Sequence, residues 1–237
     1  MQPVFNFQGS ALLAVLAFLG TGVVLAGLGV ALVVMLARHN AFAARRVALA
    51  MVGVVGAYLL LMVGTSLAST PRAVEPGNAK YFCEIDCHLA YSVVGSRPAT
   101  QLGPAHGHFQ VVTLKVWFDP RTTSPRRDDS PLHPNPRAAL LLDDQGYEFY
   151  RSRPGQEGLE AVEGPQPPLT QPLRPGESYT TSIVFDIAPE SRAAELRLTE
   201  TDLVTYLLIG HENSLMHRPI PFRLTDSSPA SGAAVRG

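Results

Sequence analysis

The sequence predicts a two-helix transmembrane hairpin followed by an all-β antiparallel sandwich. Three observations carry that prediction. Residues 11–37 and 47–68 contain no formal charge and are largely apolar. After residue 80 the dominant hydrophobic period is two, clearest at 109–118 (FQVVTLKVWF). Between the alternating runs stand Gly, Pro and Asp in turn-forming order, as in DDQG and RPGE.

The two apolar runs are 27 and 22 residues long, and roughly 20 helical residues cross a hydrocarbon core. Their connection holds Arg38, His39, Arg45 and Arg46, whereas the opening MQPVFNFQGS has no charged side chain. The positive-inside rule therefore places the connection in the cytoplasm and both ends of the chain outside. The first run lacks the basic leader of a secretory signal, is longer than a signal's apolar stretch and is followed by basic residues, which predicts an uncleaved helix. Residues 1–68 are read as the hairpin. Gly20, Gly22, Gly27 and Gly29 in the first helix, with Gly53 and Gly56 in the second, offer small surfaces for close helix approach.

Residues 69–79 (STPRAVEPGNA) form a short polar link stiffened by two prolines. Residues 80–226 are enough for one core and too few for two typical domains. Within 109–118, alternation turns Val112, Leu114, Val116 and Phe118 inward, with Gln110, Thr113, Lys115 and Trp117 among the intervening residues. Further strands are predicted at 89–95, 138–142, 147–150, 179–187, 195–198, 203–209 and 217–224, with a hairpin turn at 143–146 and a tight turn at 174–177. Seven or eight short strands with little helix between them predict the sandwich. Residues 227–237 (SSPASGAAVRG) are small and polar and read as a disordered tail.

The hydrophobic content of 46% averages an oily hairpin with an ordinary remainder, so the formal net charge of −1 describes neither part. From residue 80 onward there are 15 Lys and Arg against 19 Asp and Glu, a net charge of −4. No clustered basic face is present, which excludes a nucleic-acid footprint.

The stretch 109–224, with its PGES turn at 175–178, the strand IVFDI at 183–187 and the Ala188-Pro189 stop, resembles the uncharacterised immunoglobulin-like domains that many bacteria display outside the cytoplasmic membrane. FCEIDCHLAYSV at 82–93 and IGHENSLMH at 209–217 are similar to segments of a narrower branch of such proteins. The resemblance implies an immunoglobulin-like fold and an extracytoplasmic location in the bacterial inner membrane. It implies no activity, because folds of this kind host many functions.

The sharpest chemical cluster is Cys83-Glu84-Ile85-Asp86-Cys87-His88. In one reading Cys83 and Cys87 form a disulfide, as paired cysteines outside the cytoplasm usually do. In a second, two thiolates and the His88 imidazole are ligands suited to copper or zinc, completed by His211 or His217 from the segment 209–217, with His133 nearby in the Pro-rich loop. Subunit II of haem-copper oxidases also joins a two-helix hairpin to an outer β-domain. Here, however, the cysteines precede the first strand and no methionine follows them closely, so its copper site is not carried over. A third reading, covalent haem, meets one residue too many between the cysteines and a strand-rich host, with Met216, His211 or His217 as the distal ligand. His106-Gly107-His108 reads first as a turn.

No strained nucleophile turn, phosphate-cradling glycine loop or helical zinc motif occurs, which weighs against an enzyme. The expected function is a membrane-anchored, extracytoplasmic binding or accessory module, presented near the lipid bilayer to a protein partner of a membrane complex. The alternative is a metal-binding redox or metal-delivery protein built on Cys83, Cys87, His88, His211 and His217.

Overall fold

Ser10 starts the first helix, its side chain accepting a hydrogen bond from the Leu13 amide at 3.4 Å, which satisfies one of the amides a helix start leaves unpaired. The helix, α1, runs Ala11–Ala37 as the apolar pattern predicts. The structure is a computed structural model and describes residues 4–7, 9–70, 72–83, 87–123 and 127–224. The chain divides into two compact units: Phe7–Thr70 with Asp202–Arg218, and Met1–Asn6 with Pro71–Thr201 and Pro219–Gly237.

In the helical unit, His39 takes a positive φ of 52° to turn the chain, and the Asn40 side chain accepts from the Ala43 amide at 3.0 Å to start α2, Ala41–Leu67. The second helix thus begins six residues before the apolar run at 47. A helix start is set by its cap and not by where charge ends, and Arg45 and Arg46 lie in its first two turns. An added Cβ at Gly20, Gly22, Gly27, Gly29, Gly53 or Gly56 would meet no described atom within 4 Å. These glycines do not mediate close helix contact in this chain.

The same unit corrects the expected strand at 203–209. Leu203–Leu207 is a 3₁₀ helix, because the Asp202 side chain accepts from the Val204 amide at 3.0 Å and caps a helical turn. The apolar run there suits both conformations, and the cap decides between them.

The other unit contains two sheets. One has the order β1 (Val4–Phe5), β2 (Lys80–Phe82), β3 (Leu89–Ala99), β4 (His108–Phe118) and β7 (Ser178–Ile187); the second has β6 (Glu148–Tyr150), β5 (Arg137–Asp143), β8 (Ala193–Glu200) and β9 (Phe222–Arg223). The expected strand at 217–224 shrinks to β9. The sheets share one apolar core: Val112, Leu114, Val116 and Phe118 of β4 pack with Leu141 of β5 and Leu196 of β8. The predicted register of β4 holds for these four, whereas Gln110, expected among the intervening residues, shares their parity and is buried, its amide donating to Ser96 Oγ at 2.6 Å. Val74, in the segment read as a linker, is buried and bridges Phe222, its amide donating to the Pro221 carbonyl at 2.8 Å.

Both predicted turns form, with Gly146 and Gly176 at positive φ. In this unit the all-β expectation also fails, at an α-helix. Helix α3, Arg153–Glu163, lies against the outer face of the first sheet, where Leu159 packs with Phe109, Val111 and Val184. A Cβ on Gly155 would come within 2.7 Å of Val184 and 2.8 Å of Phe109, and one on Gly158 would collide with the Leu102 carbonyl. These two glycines are what let the helix approach. The Gln156 side chain donates to the Ser182 carbonyl at 3.1 Å and accepts from the Val184 amide at 3.2 Å. It thereby occupies the open hydrogen-bonding edge of β7, an edge that would otherwise invite another strand. The expected tail at 227–237 lies outside the described residues.

Candidate functional site

Cys83 and Cys87 are bonded as a disulfide, with Cα atoms 4.0 Å apart. Cys83 directly follows β2 and Cys87 lies two residues before β3, and the facing pair Phe82 and Leu89 closes the ladder between them. The bridge therefore closes the loop that connects β2 to β3; Glu84, Ile85 and Asp86 lie outside the described residues. The Cys83 amide donates to Asn6 Oδ1 at 2.8 Å, tying the staple to the residue after β1.

His88 is buried beside this bridge. Its ring stacks on Phe118 with centroids 5.3 Å apart, and Nδ1 lies 2.7 Å from Thr122 Oγ1. The Thr122 hydroxyl gives its one proton to the Asp119 carbonyl at 2.8 Å, so its oxygen must accept from His88. This assigns the His88 proton to Nδ1. Asp119 in turn accepts from Arg121 Nε and Nη2, both at 2.9 Å, and from the Tyr81 hydroxyl at 2.7 Å. The Arg121 bonds, joined by that of Tyr81, hold the Asp119 carboxyl far below the usual carboxylate range against the opposing effect of burial.

Next to the staple lies a second polar group that the sequence reading passed over. Lys80 is fully buried and donates to the Leu198 carbonyl at 3.1 Å and the Ile220 carbonyl at 2.9 Å, with its ammonium 4.7 Å from the Phe82 ring centroid. The buried Arg137 guanidinium lies 3.4 Å from Glu200 Oε1 and 4.2 Å from the same Phe82 ring centroid. Asn6 Nδ2 donates to Glu200 at 3.4 Å. Buried charges persist only when paired and hydrogen-bonded, and these form a knot joining β1, β2, β5 and β8. Lys80 and Arg137 each open an apolar run, KYF and RAALLL, and a cation at a strand end ordinarily reads as solvent-facing. No pattern in the sequence signals their burial.

His211 and His217 belong to the helical unit. His211 is fully buried, its ring edge-on to Phe7 with centroids 4.7 Å apart, and its Nδ1 accepts from the Asn213 amide at 3.0 Å. His217 donates through Nδ1 to the Arg218 carbonyl at 3.0 Å, and burial is the main influence holding its pKa below the ordinary imidazole value. His133 is exposed, and His106 bonds Asp186 at 3.0 Å on the surface. Among the described residues no group of three or more His, Cys, Asp or Glu side chains is placed to hold a metal ion. The disulfide uses the two sulfurs that a copper or zinc site would need as thiolates. What the structure brings together from the sequence-predicted residues is Cys83, Cys87 and the adjacent His88, as a covalent staple with a hydrogen-bonded histidine.

No protein-family model matches the sequence, and no curated protein matches it. Two solved structures are similar in backbone. The secreted protein MPT63 from Mycobacterium tuberculosis is 15% identical, with a TM-score of 0.40 over 56% of this chain and 92% of that one. A conserved hypothetical protein from Bacillus anthracis is 14% identical, with a TM-score of 0.31 over 47% of this chain and 81% of that one.

Proposed function

We propose that this chain is a membrane-anchored, extracytoplasmic binding or accessory module. Helices α1 and α2 span the bacterial cytoplasmic membrane with Arg38, Arg45 and Arg46 on the cytoplasmic side. They hold an immunoglobulin-like sandwich close to the bilayer, where it meets a protein partner within a membrane complex. The observation that carries this reading is the surface of the two helices. Only 11% and 6% of their most apolar windows are buried, whereas the core helix of a soluble protein is covered by its own chain. Side chains such as Val23, Val30, Leu60 and Leu67 are exposed along their length, an arrangement that lipid solvates and water does not. The disulfide supports the compartment, because such bonds persist outside the reducing cytosol.

The test is protease accessibility in intact spheroplasts. The full chain should stay in the membrane pellet after alkaline carbonate washing, and added protease should remove the β-rich unit without lysis. Full protection before lysis, or release from the pellet by carbonate, contradicts the reading.

A further inference from the structure

We infer that Asp202–Arg218 is a third membrane-contacting element, a loop whose apolar side chains lie among the acyl chains of the outer leaflet; this rests on the anchoring proposed above. The loop is organised inside out relative to one built for water. Between Leu203 and Met216 the sole formally charged residue is Glu212, and it is only 3% exposed. His211 is fully buried, and Asn213 donates to Thr205 Oγ1 at 2.9 Å. Polar side chains are thus turned inward while Leu203 is 79% and Met216 62% exposed, with Tyr206, Leu207 and Leu215 also open. The ordinary charges come at the ends, at Asp202 and Arg218, where they can reach headgroups and water.

The attachment of the loop supplies the occupant. The Tyr58 hydroxyl donates to the Leu207 carbonyl at 2.6 Å. Tyr58 precedes the end of α2 at Leu67 by nine residues, about 14 Å along a helix axis. The loop therefore meets α2 beside the part that spans, not past its end. The Arg218 amide closes the loop on Ser69 Oγ at 3.4 Å. A backbone carbonyl placed at this depth must be bonded within the protein, which is what Tyr58 does for Leu207. Leu59, Leu60 and Leu61, which follow Tyr58 on α2, are exposed as well, and apolar side chains held at the depth of a spanning helix by the Tyr58 bond meet the same acyl chains.

The experiment uses the full chain with its disulfide intact, so that single cysteines introduced as L203C, L207C or L215C are the only free thiols. Each is labelled with an environment-sensitive fluorophore and reconstituted into phosphatidylethanolamine and phosphatidylglycerol vesicles. V24C in α1 serves as the spanning reference. We expect blue-shifted emission at all three loop sites and severalfold stronger quenching by acyl-chain nitroxide lipids than by aqueous iodide. Water-like emission with iodide quenching at the loop, while V24C reports hydrocarbon, overturns the inference and leaves the anchoring standing. Protection of the loop from both quenchers means that protein covers it, and also overturns the inference. A V24C probe quenched by iodide overturns the anchoring and the inference together. Substitution at 207 keeps the backbone carbonyl that Tyr58 binds, and agreement among three independent positions guards against a local disturbance at any one.

Discussion

Lys80 and Leu198 are joined across the two sheets: the buried ammonium donates to the Leu198 carbonyl at 3.1 Å, 118 residues away in the chain. The same ammonium holds the Ile220 carbonyl at 2.9 Å, so one side chain on β2 fixes two segments of the opposite layer. K80M keeps most of the volume but leaves both carbonyls without this donor. It should destabilise the β-rich unit by about 2 to 4 kcal/mol, since a hydrogen bond to a charged group is worth about 1.5 to 3 kcal/mol and an orphaned buried carbonyl adds its desolvation cost. Trp117, the single tryptophan, lies on β4 and reports the transition by fluorescence in denaturant.

Leu114 is fully buried in the core shared by both sheets. L114A should cost about 2 to 5 kcal/mol through lost methyl groups and the cavity left behind. The same substitution at Val94, the exposed residue at the β3 bulge, should change stability by about 0.5 kcal/mol or less. Equal effects at the two sites would invert the assigned register.

Gly158 allows α3 to approach the Leu102 carbonyl. In an isolated helix Gly to Ala is favourable by about 1 kcal/mol, so propensity and packing predict opposite signs here. G158A should lower the denaturation midpoint and raise amide exchange along β7, whose edge Gln156 covers. A gain in stability would mean that α3 does not pack as described.

Asp119 carries a pH dependence. Its folded-state pKa is depressed chiefly by the Arg121 hydrogen bonds, with Tyr81 adding to them. The linked stability is therefore fully present above the unfolded carboxylate pKa of about 4 and is lost as pH falls from there toward the folded value. D119N should cost about 1 to 3 kcal/mol at neutral pH, and its penalty should shrink as the wild type is acidified. Parallel stability curves for the two proteins from pH 7 to pH 3 would refute this assignment.

Much of the architecture was legible because it rests on period. The apolar run 11–37 coincides with α1, and the alternation of 109–118 gives the inward face of β4. The missed elements rest on tertiary contacts that leave no periodic trace. Helix α3 contains Pro154, Gly155 and Gly158, a composition that reads as loop until Phe109 and Leu102 are seen to require the glycines. The 3₁₀ helix at Leu203–Leu207 turns on one aspartate cap. At the candidate site the cysteine pair was visible as two residues close in sequence, whereas Lys80, Arg137 and Glu200 come together from three distant strands. Their charges suggested a surface, and burial was decided by partners the sequence does not place side by side.

The central claim is that the hairpin spans the membrane and leaves the β-rich unit outside. It is tested most directly by paired reporters fused after Gly237 in the full chain, one active only outside the cytoplasm and one only within it. Arg38, Arg45 and Arg46 at the interhelical turn predict high activity from the external reporter and background from the internal one. Strong signal from the internal reporter, with the external one silent, would contradict the account.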